Sequence, residues 1–254
     1  MRRHAFQRHK VTLRKALASV TLLLLSSSTF AQVGEARKDF AVGVSGGYVL
    51  DKIAFEPTIR QAWKPGMTLG FTARYTCEKY FSCICALQAE VNYTQMGWKE
   101  DIEYIPQSGV PDTYERTLNY VQIPLLARLG FGREQRGVQG YLVLGPQIGF
   151  FLGDREKRSG EWSDNTLSHR PNHITQQYDL PIQNKFEYGI TGGLGVEVST
   201  KIGHFMAEGR YYFGLSDIFK NGKSDAFGRS AHGAIVAKIS YLFDIVKTKG
   251  VTRK

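Results

Sequence analysis

Lys185–Ser199 reads KFEYGITGGLGVEVS. From Phe186 to Val198 every second residue is apolar or glycine, and the residues between include Glu187, Thr191, Glu197 and Ser199. A period of two marks a strand, whose side chains point alternately to two faces. One face of this strand is oily, and the other is small or charged.

The same test along the chain gives eight segments, at 39–49, 66–76, 84–98, 115–131, 138–152, 184–199, 204–216 and 229–243. No amphipathic helix accompanies them. The connections alternate in length. Those at 50–65, 99–114, 153–183 and 217–228 are long, and those at 77–83, 132–137 and 200–203 are short. In an up-and-down meander alternate connections lie at opposite ends, so one end carries long loops and the other tight turns. Outer-membrane barrels have that asymmetry, with an even strand number. The expected fold is all-β, an eight-stranded antiparallel up-and-down transmembrane β-barrel.

The faces carry the energetic argument. The more apolar phase of each segment contains no charge. The strand charges fall on the other phase: Arg74, Glu90, Arg128, Glu187, Glu197, Glu208, Arg210 and Lys238. A lysine or arginine facing lipid near the midplane costs about 2–4 kcal/mol, which the lumen spares if charges pair. The oily phase is therefore expected to face lipid. An eight-stranded barrel has an interior that side chains just fill. Four acids and four bases there read as a paired charge plug, with a proton or ion path as the functional alternative. A soluble secreted barrel binding an apolar ligand would reverse the faces. Two features favour lipid. The segments match or exceed the ~9–11 residues a tilted strand needs to cross. Aromatics gather toward strand ends (Tyr48, Tyr75, Phe131, Phe150, Phe151, Tyr241 and Phe243), as girdles do. On the inner phase Gly189, Gly193 and Gly195 leave room for large neighbours. Pro124 and Pro146 lie inside strands of a barrel with no free edge, so a bulge or broken pairing is expected there, with Pro124 opposite residue 145.

The formal charge of +10 is misleading about partners. Residues 1–31 hold six basic residues and no acid, and without them 27 basic residues face 23 acidic ones. No basic stripe favours nucleic acid. Those 31 residues read as an export signal. A basic start precedes the ten-residue apolar run Ala16–Leu25, and Thr29 and Ala31 suit a signal-peptidase site. The run is too short for the ~20 residues of a membrane helix. Cleavage is expected after Ala31, leaving 32–254 as a barrel domain with a short C-terminal tail. Export permits a disulfide among Cys77, Cys83 and Cys85, with Cys77 joined to Cys83 or Cys85 across a hairpin turn and one thiol left over.

Tyr120–Phe131, YVQIPLLARLGF, resembles the Y-x-x-I-P-L-L strand of the PorT-like outer-membrane barrels of Bacteroidetes-type bacteria. GYLVLGPQIGF (140–150), GITGGLGVEV (189–198), RYYFGLSDIF (210–219) and KISYLF (238–243) support the likeness in order. The resemblance implies an eight-stranded outer-membrane barrel and, for the founding member, a part in protein secretion. It supplies no catalytic residues. This chain departs from it by the eleven residues after Phe243, DIVKTKGVTRK.

Other chemistry is thin. GITGGLG (189–195) lacks the following helix and lysine of a phosphate-binding loop. His169 and His173 are four apart, but Pro171 prevents the helix that would align them on zinc. His204 and His232 belong to opposite strand ends and are not expected to meet. The enzymatic candidate is a lipid-modifying site at the external rim, built from Ser216, Asp217, Ser230 and His232. Loop 153–183 is polar, with Trp162 alone among charges, and suits a flexible external loop or a partner contact. No metal or cofactor is expected. The partners expected are outer-membrane lipid and an envelope or secretion-machinery protein, and the chain is expected to be monomeric.

Overall fold

The computed structural model describes residues 35–80, 82–102, 112–133, 137–159 and 175–248. The chain divides into two units, Met1–Glu35 and Ala36–Lys254, and the sheet beyond its first residue belongs to the second. The expected leader, Trp162, His169 and His173 lie outside the described residues.

The strands are β1 (Glu35–Glu56), β2 (Gln61–Ala62), β3 (Lys64–Tyr80), β4 (Cys83–Glu100), β5 (Thr113–Gly132), β6 (Gly137–Ser159), β7 (Phe186–Ser199), β8 (His204–Asp217) and β9 (Arg229–Val246). β3, β1, β9, β8, β7, β6, β5 and β4 follow one another in hydrogen-bonded order, and β4 also pairs β3, so eight strands close a ring. The two-residue β2 continues the edge of β3 along β4, pairing Gln61 with Glu100 and Ala62 with Lys99. Three connections are tight and share one end; at one of them Thr200 N–H donates to Gly203 O over 2.9 Å, with Gly203 at φ 149°. A glycine takes that φ without steric cost.

The wall is oily outward and polar inward. Along β7, Phe186, Tyr188, Ile190, Leu194, Val196 and Val198 are exposed, while Glu187, Thr191, Glu197 and Ser199 are buried. The same holds around the ring, from Val44 and Phe71 to Leu125, Leu142 and Ile239. A soluble barrel would show the reverse. Outward aromatics form two bands, with Tyr48, Tyr93, Phe150, Phe186 and Tyr188 toward the loop end, and Tyr75, Phe131, Phe205 and Phe243 toward the turns. Phe151 is not in a band. A register shift in the β5–β6 ladder between Asn119 and Tyr120 lets it pack on Tyr120 at 5.7 Å.

The prolines interrupt pairing without inserting a residue. In β5–β6, Pro124 faces Gln147 and the next pair is Ala127–Leu144; in β4–β5, pairing stops between Asn92–Gln122 and Ala89–Leu125. Proline has no N–H to give either ladder. The partner of Pro124 is thus Gln147, two residues from the expected position.

Of the two states open to the cysteines, a hairpin disulfide or free thiols, the structure has the second: Cys77, Cys83 and Cys85 are all free. Cys77 falls in a register shift between Thr76 and Glu78, so Glu78 faces Cys85 and Tyr80 faces Cys83.

Candidate functional site

The lumen holds ionic groups in three tiers, set there by the inward phase of each strand. All eight charges expected inside are buried. Nearest the turns, Glu197 is the hub. Arg74 donates to its Oε2 over 2.6 Å, and Arg128 donates to the same oxygen. Oε1 meets His204 Nδ1 at 2.6 Å, and His204 Nε2 lies 2.9 Å from Asp244. The Arg128 guanidinium stacks on the Tyr141 ring at 3.6 Å, and the Tyr141 hydroxyl donates to Glu208 over 2.6 Å, joining this tier to the next.

In the middle tier Glu90 accepts five bonds. Arg210 gives two, at 3.0 and 2.7 Å, Lys238 one at 2.6 Å, Gln88 one at 2.8 Å and Asn92 one at 2.9 Å. Arg210 also reaches Glu208. Five bonds to one carboxylate are what keep the buried charge of Glu90 tolerable.

The third tier lies toward the loops. His232 Nδ1 contacts Asp51 Oδ2 at 2.7 Å, and the Gly97 N–H donates to the same oxygen over 2.7 Å. On its other side His232 Nε2 stands 3.7 Å from Glu187 and 3.4 Å from the Tyr120 hydroxyl. Glu187 takes its hydrogen bond from Gln122, at 2.8 Å, rather than from one of the four bases. Asp51, His204 and His232 are therefore members that sequence reasoning left out. Both histidines bridge two carboxylates, and they stand in different tiers, apart from each other.

Above these tiers the mouth is closed by aromatics. Phe219 and Phe227 come from the β8–β9 connection and Tyr178 from the β6–β7 connection. They pack with Phe55, Trp98 and Tyr114 at ring separations such as 5.1 Å for Phe55–Phe227 and 4.7 Å for Tyr114–Tyr178. Beside them Arg116 holds Asp154 at 2.6 Å and Glu156 at 3.1 Å. Asp179 binds Arg158, and that hydrogen bond holds its carboxyl below the usual carboxylate range.

The inner glycines make room for these groups. A Cβ on Gly195 would lie 2.6 Å from the Tyr141 ring and 2.8 Å from Ala207 O, and one on Gly189 would lie 2.3 Å from Phe213 O. Gly195→Ala is expected to cost about 1–3 kcal/mol by overpacking, read as a lower urea midpoint for unfolding. An unchanged midpoint would mean that the lumen has slack there.

The rim constellation does not assemble. Ser216 is tied outside to Tyr188, its Oγ accepting from the Tyr188 N–H at 3.0 Å. His232 is buried inside on Asp51. Asp217 accepts from the Ser230 N–H and Ser230 Oγ from the Phe219 N–H, so both are spent on the β8–β9 connection. Among the described residues no group of three or more His, Cys, Asp or Glu side chains is arranged to hold a metal ion.

A family model, "Outer membrane protein beta-barrel domain", matches residues 30–220. The chain belongs to that family. As an outer-membrane β-barrel it is similar in fold to several solved structures. With Ail, the attachment invasion locus protein of Yersinia pestis, it shares 12% identity over 82% of this chain and 99% of that one, at a TM-score of 0.34. With OprG of Pseudomonas aeruginosa the values are 15%, 83%, 98% and 0.41, and with Neisserial surface protein A they are 16%, 80%, 97% and 0.38. No curated protein matches the barrel in sequence.

Proposed function

We propose that this chain, freed of a leader ending at Ala31, is a non-enzymatic, monomeric outer-membrane barrel of the PorT-like type. Its lumen conducts nothing, and its loop end meets a protein partner in envelope assembly or secretion. One observation carries the reading: ionised side chains fill the interior by pairing with one another, inside a wall whose outward face is oily. A channel would leave such groups wet and facing a path; here aromatics cover them at the loop end. The secretion role rests on the resemblance of Tyr120–Phe131 and the stretches after it. What remains for contact is the loop end, where strand β6 runs on to Ser159 and carries Arg155 and Lys157 outward.

The test has three arms. The protein is expected in the outer-membrane fraction, resistant to salt and carbonate washing, with a gel mobility that changes on boiling. A washable protein would overturn the membrane reading. In planar bilayers no current steps are expected, and steady ion currents would replace the plug by a path. Crosslinking in intact cells from cysteines placed at Lys157 or Lys223 is expected to capture an envelope protein. Capture from turn-end positions alone would move the contact to the other side of the membrane.

A further inference from the structure

The oily wall is not uniform. On β1, β9 and β8 the register sets small residues side by side: Tyr48 faces Ala237, Ala237 faces Gly209, and Gly46 lies on the same face of β1 as Tyr48. A Cβ built on Gly209 would meet nothing within 4 Å. Leu69, Leu194 and Ile239 stand up around this floor, each more than 60% exposed. The result is an outward groove of about 760 Å³ within the apolar belt.

Toward the loop end the same strands carry two cations. Lys52 faces out opposite Gly233, with its Nζ 4.8 Å from the Trp63 ring. Arg229 is exposed, with its guanidinium 5.7 Å from the Phe213 ring. Phe213 is the other neighbour of Gly233, so the cations lie to either side of a wall position with no side chain of its own, beside which stands the Tyr211 hydroxyl. Neither makes an ion pair among the described residues. Glu56 faces Arg229 across the ladder but does not bond it, leaving two cations to one acid. Tyr48 and Lys52 are four residues apart, about 13 Å at ~3.3 Å per residue. A groove in hydrocarbon, with unpaired cations resting on aromatics at the interface above it, fits a molecule with an apolar chain and an anionic head. An apolar surface alone, from a protein partner or a second barrel, would fill the groove and leave the two cations without an anion.

We propose that this face binds one phosphorylated lipid, with an acyl chain in the groove and the phosphate between Lys52 and Arg229. The inference rests on the membrane reading above. Its test is native mass spectrometry of the full chain in detergent, with phosphatidic acid and diacylglycerol of identical chains as probes, and with gel mobility on each sample to show that the barrel has formed. Wild type retains one phosphatidic acid, about thirtyfold in preference to diacylglycerol, as two interfacial cations warrant. Lys52→Gln with Arg229→Gln removes that preference. Gly209→Leu loses both lipids, and Ala237→Leu repeats the result if Gly209→Leu does not fold. Gly140→Leu is the control: it is another outward glycine with nothing within 4 Å of its Cβ, and it binds as wild type does. A folded wild type without the preference overturns the inference and leaves the barrel standing. So does a Gly209→Leu that binds normally, or a dimer lost on Gly209→Leu, which would assign the groove to a second copy. A wild type that never forms a barrel overturns both readings.

Discussion

Glu90→Ala is expected to destabilise the barrel by about 3–5 kcal/mol, the usual cost of breaking a buried ion pair from one side. Glu90 takes bonds from Arg210, Lys238, Gln88 and Asn92, and its side chain is fully shielded from solvent. Removing it strands Lys238 and leaves Arg210 with Glu208 alone, where water does not reach. The loss is a large part of the ~5–15 kcal/mol that holds a typical protein folded. The measurement is the urea midpoint of the boil-sensitive gel mobility. A second variant separates the pairing from the burial. Replacing the whole middle tier, as Glu90→Leu, Glu208→Gln, Arg210→Met and Lys238→Met, removes the desolvation cost together with the attraction. It is expected to recover most of the stability, because apolar replacement of a complete buried ion group is often neutral or better. A Glu90→Ala change within about 0.5 kcal/mol, the range of an ordinary surface substitution, would mean that water hydrates the lumen and the plug is not dry.

The architecture was legible because each strand has a phase without charge. Leu125, Leu142, Val196 and Ile239 turn out, and Arg74, Glu90, Glu197 and Arg210 turn in. That test fails wherever both phases are polar. Residues 153–159, GDREKRS, read as loop and are strand: Asp154 and Glu156 turn to Arg116, while Arg155 and Lys157 face out. Beyond the membrane a strand needs no apolar face, so its sequence stops announcing it. Asp51 was missed for a different reason: past Leu50 the phases exchange, with Lys52 and Glu56 turned out and Ile53 and Phe55 buried on the same phase as Asp51. His204 and His232 sit on the inward phase of β8 and β9, and that parity was the available signal. Nothing local marks Phe219 and Phe227 as a lid. They lie in a connection, and only the closed ring brings them onto Phe55 and Trp98.

Leu125→Arg separates a lipid-facing wall from a hydrated one. Leu125 is 53% exposed and lies midway between the aromatic bands on β5, while Val138, 60% exposed, stands near the turn end of β6. The two are equally open, so a barrel in water would treat arginine alike at both, within about 0.5 kcal/mol. In a bilayer the cost depends on depth. Leu125→Arg is expected to lose about 2–4 kcal/mol, and Val138→Arg about 0–1 kcal/mol, because only the latter reaches the interface. Refolding each variant into lipid vesicles across a urea series measures both. A steep cost at Leu125 with a small one at Val138 reports hydrocarbon against that face. Equal and small effects would place water there, and the exposed Leu, Val and Ile of the wall would then need a protein cover.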